Sequence, residues 1–116
     1  MWLLDVNMDV HLVQVSSELG VDCDTAANRG WKALSNGDLV GAAVSAGFTC
    51  LLTRDQRFGE SAARALKAYP DFAVVVVNLP QFPRGKHQED FLAAWRGGSI
   101  EPIAGSLIHW PRAKIE

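Results

Sequence analysis

Three aspartates stand where this chain could do chemistry. Asp5 and Asp55 each follow a short apolar run, and Asp38 falls in the first turn of an expected helix. Taken singly, each fits a helix cap. Asp5 or Asn7 would cap the first helix, Ser35-Asn36-Gly37-Asp38 and Thr53-Arg54-Asp55-Gln56 both fit capping boxes, and Asp55 would favour the positive end of a helix dipole. Brought together, the acids fit something else. Two adjacent carboxylates repel by roughly 4 kcal/mol at an effective dielectric of about 20, and a cation between them makes a hard-oxygen site suited to Mg²⁺ or Mn²⁺. Arg29, Lys32, Arg54 and Arg57 lie around them in sequence. A divalent ion with nearby cations is the arrangement that holds a phosphodiester and stabilises its transition state, although each of these cations also fits solvated surface. His11, His87 and His109 are scattered, with no Ser-His or Cys-His pairing.

The acids need elements to position them. Trp2–Val6 and Phe48–Leu52 read as short strands without polar alternation, as expected when both sheet faces are covered. Met8, Leu12, Val15 and Leu19 recur at helical spacing and Gly20 follows them, which predicts a first helix. Val21–Thr25 alternates like a strand near a sheet edge, and Ala26–Leu34 reads as a loop. Ser35 caps a second helix ending at Gly47. A third helix starts near Gln56, carries Phe58, Ala62, Ala65, Leu66 and Tyr69 inward, and stops at Pro70. Phe72–Val77, rich in β-branched residues, is expected to be an inner strand. Asn78–Gly85 reads as a loop, Lys86–Trp95 as a last helix, and Ile100–Ile103 with Leu107–Trp110 as a terminal hairpin or a pair of edge strands. This alternation predicts a parallel sheet with helices on both faces. If the third strand lies beside the first, Asp5 and Asp55 share the crevice at its switch point.

Composition narrows the alternatives. The chain has 116 residues, nearly half apolar and about a fifth charged, which suits one domain with a core of its own and excludes intrinsic disorder. A net charge of −2 gives no overall basic field of the kind that drives strong non-specific nucleic-acid binding. Cys23 and Cys50 lie in apolar runs, without metal-site spacing or a disulfide framework. Met1-Trp2-Leu3-Leu4 is too short an apolar run for a signal peptide. Phe72–Val77 is too short to span a bilayer. A cytoplasmic protein, with a homodimer as the default assembly, is the expectation.

Leu3-Leu4-Asp5-Val6-Asn7, Asp38 opening the second helix, and Leu51-Leu52-Thr53-Arg54-Asp55 followed by Phe58-Gly59 together resemble a PIN-like domain. Within that class the chain is most similar to the short, single-domain bacterial group related to VapC toxins. The likeness runs from Trp2 to about Val77, and from Pro80 onward it holds only in general character. It implies a three-layer α/β/α Rossmann-like PIN fold with a mostly parallel sheet over residues 1–116. It also implies Mg²⁺- or Mn²⁺-dependent cleavage of RNA, and a role as the toxin of a type II toxin–antitoxin pair, held inactive by a small antitoxin protein. By position, Asp5, Asp38 and Asp55 would be the metal-binding carboxylates. Asn7 would orient the first of them or a metal-bound water, while Arg54, Arg57 and Lys32 would meet the substrate.

One residue departs from the family pattern. Arg57 stands two residues after the Asp of the Thr-Arg-Asp segment, where this branch usually carries another acid, and an arginine does not bind a cation. Asp9, a helical turn beyond Asp5, is the nearest substitute, and Arg57 itself would contact phosphate. The alternative is a weakened or silent PIN-like module that binds a partner protein or RNA. A phosphatase with Asp5-Val6-Asn7 as its nucleophile loop would want a second Asp where Asn7 stands.

Overall fold

Apolar runs of three to five residues, separated by amphipathic stretches, produce a βα alternation from the first strand to the last. The computed structural model describes residues 1–79 and 84–111, without the side chains at 59, 60 and 84–87. The elements are β1 (Trp2–Leu4), α1 (Leu12–Glu18), β2 (Cys23–Thr25), α2 (Asn36–Ser45), β3 (Cys50–Thr53), α3 (Phe58–Ala68), β4 (Ala73–Val77), α4 (Arg84–Gly97) and β5 (Leu107–Trp110). The strands form one sheet in the order β2-β1-β3-β4-β5, and every pairing is parallel. No helix among the described residues is long and apolar enough to cross a membrane.

The pleat sends alternate residues to opposite faces, and each face is covered by two helices. On one face Leu3, Leu51 and Val74 pack against Leu39, Val40 and Ala43 of α2 and Phe58, Ala62 and Leu66 of α3. On the other, Leu4, Leu52, Val75 and Val77 meet Met8, Leu12 and Val15 around α1 and Phe91 of α4. The fold is therefore α/β/α and Rossmann-like, as the sequence predicts. Burial on both sides explains why β3 and β4 carry no polar alternation: every residue of both is buried.

The order of the strands and the placing of the helices create two switch points. The sheet grows outward from β1 in both directions, so the loops leaving β1 and β3 go to opposite faces. The loops leaving β3 and β4 also part, because α3 lies on one face and α4 on the other. The β4–α4–β5 unit thus has the opposite hand to β3–α3–β4, against the strong preference for a single hand. Its benefit is visible in the packing. Without α4, only α1 would cover the face of Ala73, Val75 and Val77. β3 is the strand with a crevice on either side of its carboxyl end.

Local structure corrects several expectations. The helical spacing from Met8 holds in burial, yet residues 8–11 are not helical and α1 starts at Leu12. The Asp9 carboxylate takes the His11 N–H at 2.9 Å, a side-chain bond that competes with the first helical turn. Ser35 caps α2 as expected, its Oγ accepting from the Asp38 N–H at 3.3 Å. The Thr53–Gln56 capping box does not form: α3 begins at Phe58, after a cap residue, Arg57, that makes no side-chain capping bond. The terminal hairpin is also absent. Ile100–Ile103 is not a strand; Ile100 is buried against the α1/α4 face while the chain returns from α4, so β5 joins parallel to β4 as a single edge strand. α4 begins at Arg84 rather than Lys86, and residues 80–83 of the expected loop lie outside the described residues.

Candidate functional site

β1 and β3 are neighbours, with Leu4 opposite Leu52, so the residues that follow them meet. Asp5 leaves β1 while its N–H still donates to the Leu52 carbonyl at 2.9 Å. Asp5 is 9% exposed, and its carboxylate is held by two neutral donors. The Val6 N–H donates to Oδ1 at 2.8 Å, and the Thr53 hydroxyl donates to Oδ2 at 2.7 Å. Among the described residues no lysine or arginine lies within ion-pair distance of Asp5 or Asp55.

Thr53 is the hub that joins the two loops. It ends β3 fully buried, and besides donating to Asp5 its Oγ accepts from the Asp55 N–H at 3.1 Å and from Asn7 Nδ2 at 3.2 Å. Asn7 Oδ1 in turn accepts the Arg54 N–H at 3.0 Å. One hydroxyl therefore stands between the Asp5 carboxylate and the Asp55 backbone, and Asn7 straps the β1 loop to the β3 loop. Asp55 Oδ1 accepts the Arg57 N–H at 2.8 Å, which turns the chain toward α3. The sequence reading gave Thr53 only a capping role. The signal available was a hydroxyl ending an otherwise apolar buried run, where its bonding capacity must be used.

The remaining expected site residues are distributed differently. Asp38 is exposed at the N-terminus of α2, and its carboxylate has no partner among the described residues. Among the described residues no three Asp, Glu, His or Cys side chains meet closely enough to hold an ion. Arg54 turns toward β4, its Nε and Nη2 donating to the Leu79 carbonyl at 3.3 and 3.2 Å. Arg57 and Lys32 are exposed. Asp9 does not turn toward Asp5: its Oδ1 is bonded to the His11 ring at 2.8 Å. Although partial burial pushes Asp9 upward, the bonds from His11 and Gln88 hold it below the usual carboxylate range.

Within β2 a further aspartate, which sequence reasoning did not single out, is bound up locally. Asp24 Oδ2 pairs with Arg29 Nε at 2.6 Å, and Oδ1 accepts from Asn28 Nδ2 and the Thr25 N–H. Arg29 also covers the Phe48 ring, 4.9 Å from its centroid, and approaches Trp31, so it anchors the β2–α2 loop rather than joining the acids. Partial burial pushes Asp24 upward, but Arg29, Thr25 and Asn28 together hold it below the usual range. The cysteines are not reactive candidates: burial pushes both the Cys23 and Cys50 thiols upward.

A cleft of about 1070 Å³ lies elsewhere, between α4 and β5, with Ala94, Gly98, Ile108, His109 and Trp110 in its walls. It holds none of the three expected acids, so the polar chemistry at β1–β3 is separate from it. That chemistry is hard oxygen: the Asp5 carboxylate and the Asp55 backbone N–H meet on the Thr53 hydroxyl, the Asp55 carboxylate accepts the Arg57 N–H, and an amide locks the loops. Mg²⁺ is commonly held by one or two carboxylates together with substrate phosphates, and Asp5 with Asp55 fit that use. Comparison with protein-family models, curated proteins and solved structures finds no match to this chain.

Proposed function

We propose that the chain is a Mg²⁺- or Mn²⁺-dependent ribonuclease of the PIN-like class, acting as the toxin of a type II toxin–antitoxin pair. The observation that carries this reading is the Asp5–Thr53–Asp55 network at a switch point of a parallel sheet, the place where such sheets bind ligands. The Asp5 carboxylate is buried and meets only neutral donors, which leaves the cation's place at this crevice to a bound ion. Asp5 and Asp55 would hold the ion, with Asp38 joining them when substrate is bound. The ion would supply a water of lowered pKa and charge stabilisation at the phosphate. Thr53 fixes the Asp5 carboxylate, Asn7 fixes the β3 loop through the Arg54 N–H, and Lys32 and Arg57 offer exposed cations to the RNA backbone. Val6 and Val10, 52% and 57% exposed on the loop beside the site, are apolar surface for a small antitoxin to cover.

A second reading is a PIN-like module that binds RNA or a protein without cutting. It is favoured by Arg57 in place of an acid and by the exposed position of Asp38, away from a three-acid cluster. A thermal melt with and without millimolar Mn²⁺ or Mg²⁺ separates the two. An ion at a hundred times its dissociation constant adds about 2.7 kcal/mol. The nuclease reading expects a clear upward shift in wild type, its loss in Asp55→Asn, and Mn²⁺-dependent cleavage of single-stranded RNA. No shift and no cleavage in wild type would leave the binding module.

A further inference from the structure

The second crevice, between the carboxyl ends of β3 and β4, is floored by uncharged hydrogen-bonding groups. Gln56 Nε2 donates to Asn78 Oδ1 at 2.6 Å, and Asn78 Nδ2 faces His109 Nδ1 at 3.5 Å. All three side chains are exposed. Asn78 is itself fixed, its N–H donating to the Trp110 carbonyl at 2.7 Å, and the Arg54–Leu79 bonds tie the same two loops behind it. Gln56 follows Asp55 directly, so this row starts at the acid site and runs across the ends of β4 and β5. Neighbouring strands lie about 4.8 Å apart, which gives the row on the order of 10 Å.

We infer that this row is a base-reading subsite for single-stranded RNA, taking the nucleotides on one side of the bond to be cut. The inference rests on the ribonuclease reading for its substrate. Its physical basis is the residue chemistry. Asn and Gln amides pair a donor with an acceptor, matching the edges of bases, whereas phosphates call for cations. Unstacked bases with open Watson–Crick edges are what single-stranded RNA offers. The opposite direction is less suited to a polyanion, because Asp24, Asn28 and Arg29 at the end of β2 are already bonded to one another. In the free protein Gln56 and Asn78 satisfy each other, so their exchange onto a base costs no buried group. The row ends at His109, which also lines the cleft beside β5, where the strand has room to leave.

The test is fluorescence anisotropy of four labelled ten-nucleotide RNA homopolymers with the full chain in EDTA, comparing wild type, Gln56→Ala and Asn78→Ala. Because both positions are exposed, the variants are expected to melt with wild type. Wild type is expected to prefer one base, and each variant to weaken that preferred binding by at least about fivefold while levelling the four affinities. Equal binding of all four by wild type, unchanged preference in both variants, or no binding would overturn the subsite. Cleavage is scored separately. If Asp5→Asn abolishes cutting while the base preference ignores Gln56 and Asn78, the subsite alone fails. If the preference depends on them but cutting is absent or ignores Asp5, the nuclease reading fails and the subsite stands.

Discussion

Asp5 directly follows β1, and Asp24 lies within the adjacent parallel strand β2, level with Leu3; the surroundings of the two carboxylates are opposite. Asp24 meets a guanidinium at 2.6 Å, an amide and a backbone N–H, and falls below the usual carboxylate range. Asp5 is more deeply buried and receives only a hydroxyl and one N–H. The pair at β2 is complete within the protein and holds a loop in place. The network at β1–β3 has no lysine or arginine in ion-pair contact with Asp5 or Asp55 among the described residues. The residue type is the same in both; the loop after β2 brings an arginine back to Asp24, and the loop after β1 brings none to Asp5.

That contrast can be broken from either side. The largest effect is expected on catalysis: Asp5→Asn and Asp55→Asn should each abolish Mn²⁺-dependent RNA cleavage while circular dichroism stays native, and Asp24→Asn should leave cleavage in place. Survival of cutting in the first two would remove the site assignment. Ion binding comes next. The stabilisation of about 2.7 kcal/mol at a hundredfold excess over the dissociation constant should vanish in Asp55→Asn and persist in Asp24→Asn, as read by melting with and without Mn²⁺.

Thr53→Val keeps the volume but strands Asp5, Asn7 and the Asp55 N–H. Leaving buried polar groups unsatisfied costs about 1–3 kcal/mol, so urea unfolding should show that loss, and Thr53→Ser should recover most of it. A null result would mean that Thr53 is not the hub. The smallest effect belongs to β2. Asp24→Asn should cost at most about 1 kcal/mol near neutrality, as for a partly exposed ion pair. Its pH dependence carries the sign. A carboxylate whose folded pKa is lowered contributes stability above its unfolded value, near 3.9, and loses it as the pH falls through the folded one. The acid limb of the wild-type stability curve should therefore flatten in Asp24→Asn, whereas a steeper limb would contradict the assignment.

Much of the fold was legible because it depends on local patterns. Uninterrupted apolar runs at Cys50–Thr53 and Ala73–Val77 mark strands covered on both faces. Helical spacing through Leu12 and Val15 marks the buried side of α1, and Ser35 marks the start of α2 through a bond within its own first turn. The errors fell where distant groups compete for local ones. Thr53 reads as a cap because its nearest partners in sequence are backbone N–H groups, but its hydroxyl proton goes to Asp5, 48 positions away. Ile100–Ile103 reads as a strand because it is apolar, but its place is decided by the return from α4 to the sheet edge.

The sequence by itself determined the parallel α/β/α architecture, since period and burial are written into each segment, and it placed Asp5 and Asp55 at strand ends. Only the tertiary structure decided which aspartate meets an arginine and which meets a hydroxyl. That outcome depends on where loops return: Arg29 folds back onto Asp24, Thr53 reaches Asp5, and α4 crosses to the α1 face, parting the loops after β3 and β4. Arg29 is only five positions from Asp24, and its distant contact is the Phe48 ring it covers. Thr53 and Asp5 are 48 positions apart, and the crossing of α4 is set by packing over the core, so no short stretch of sequence contains either.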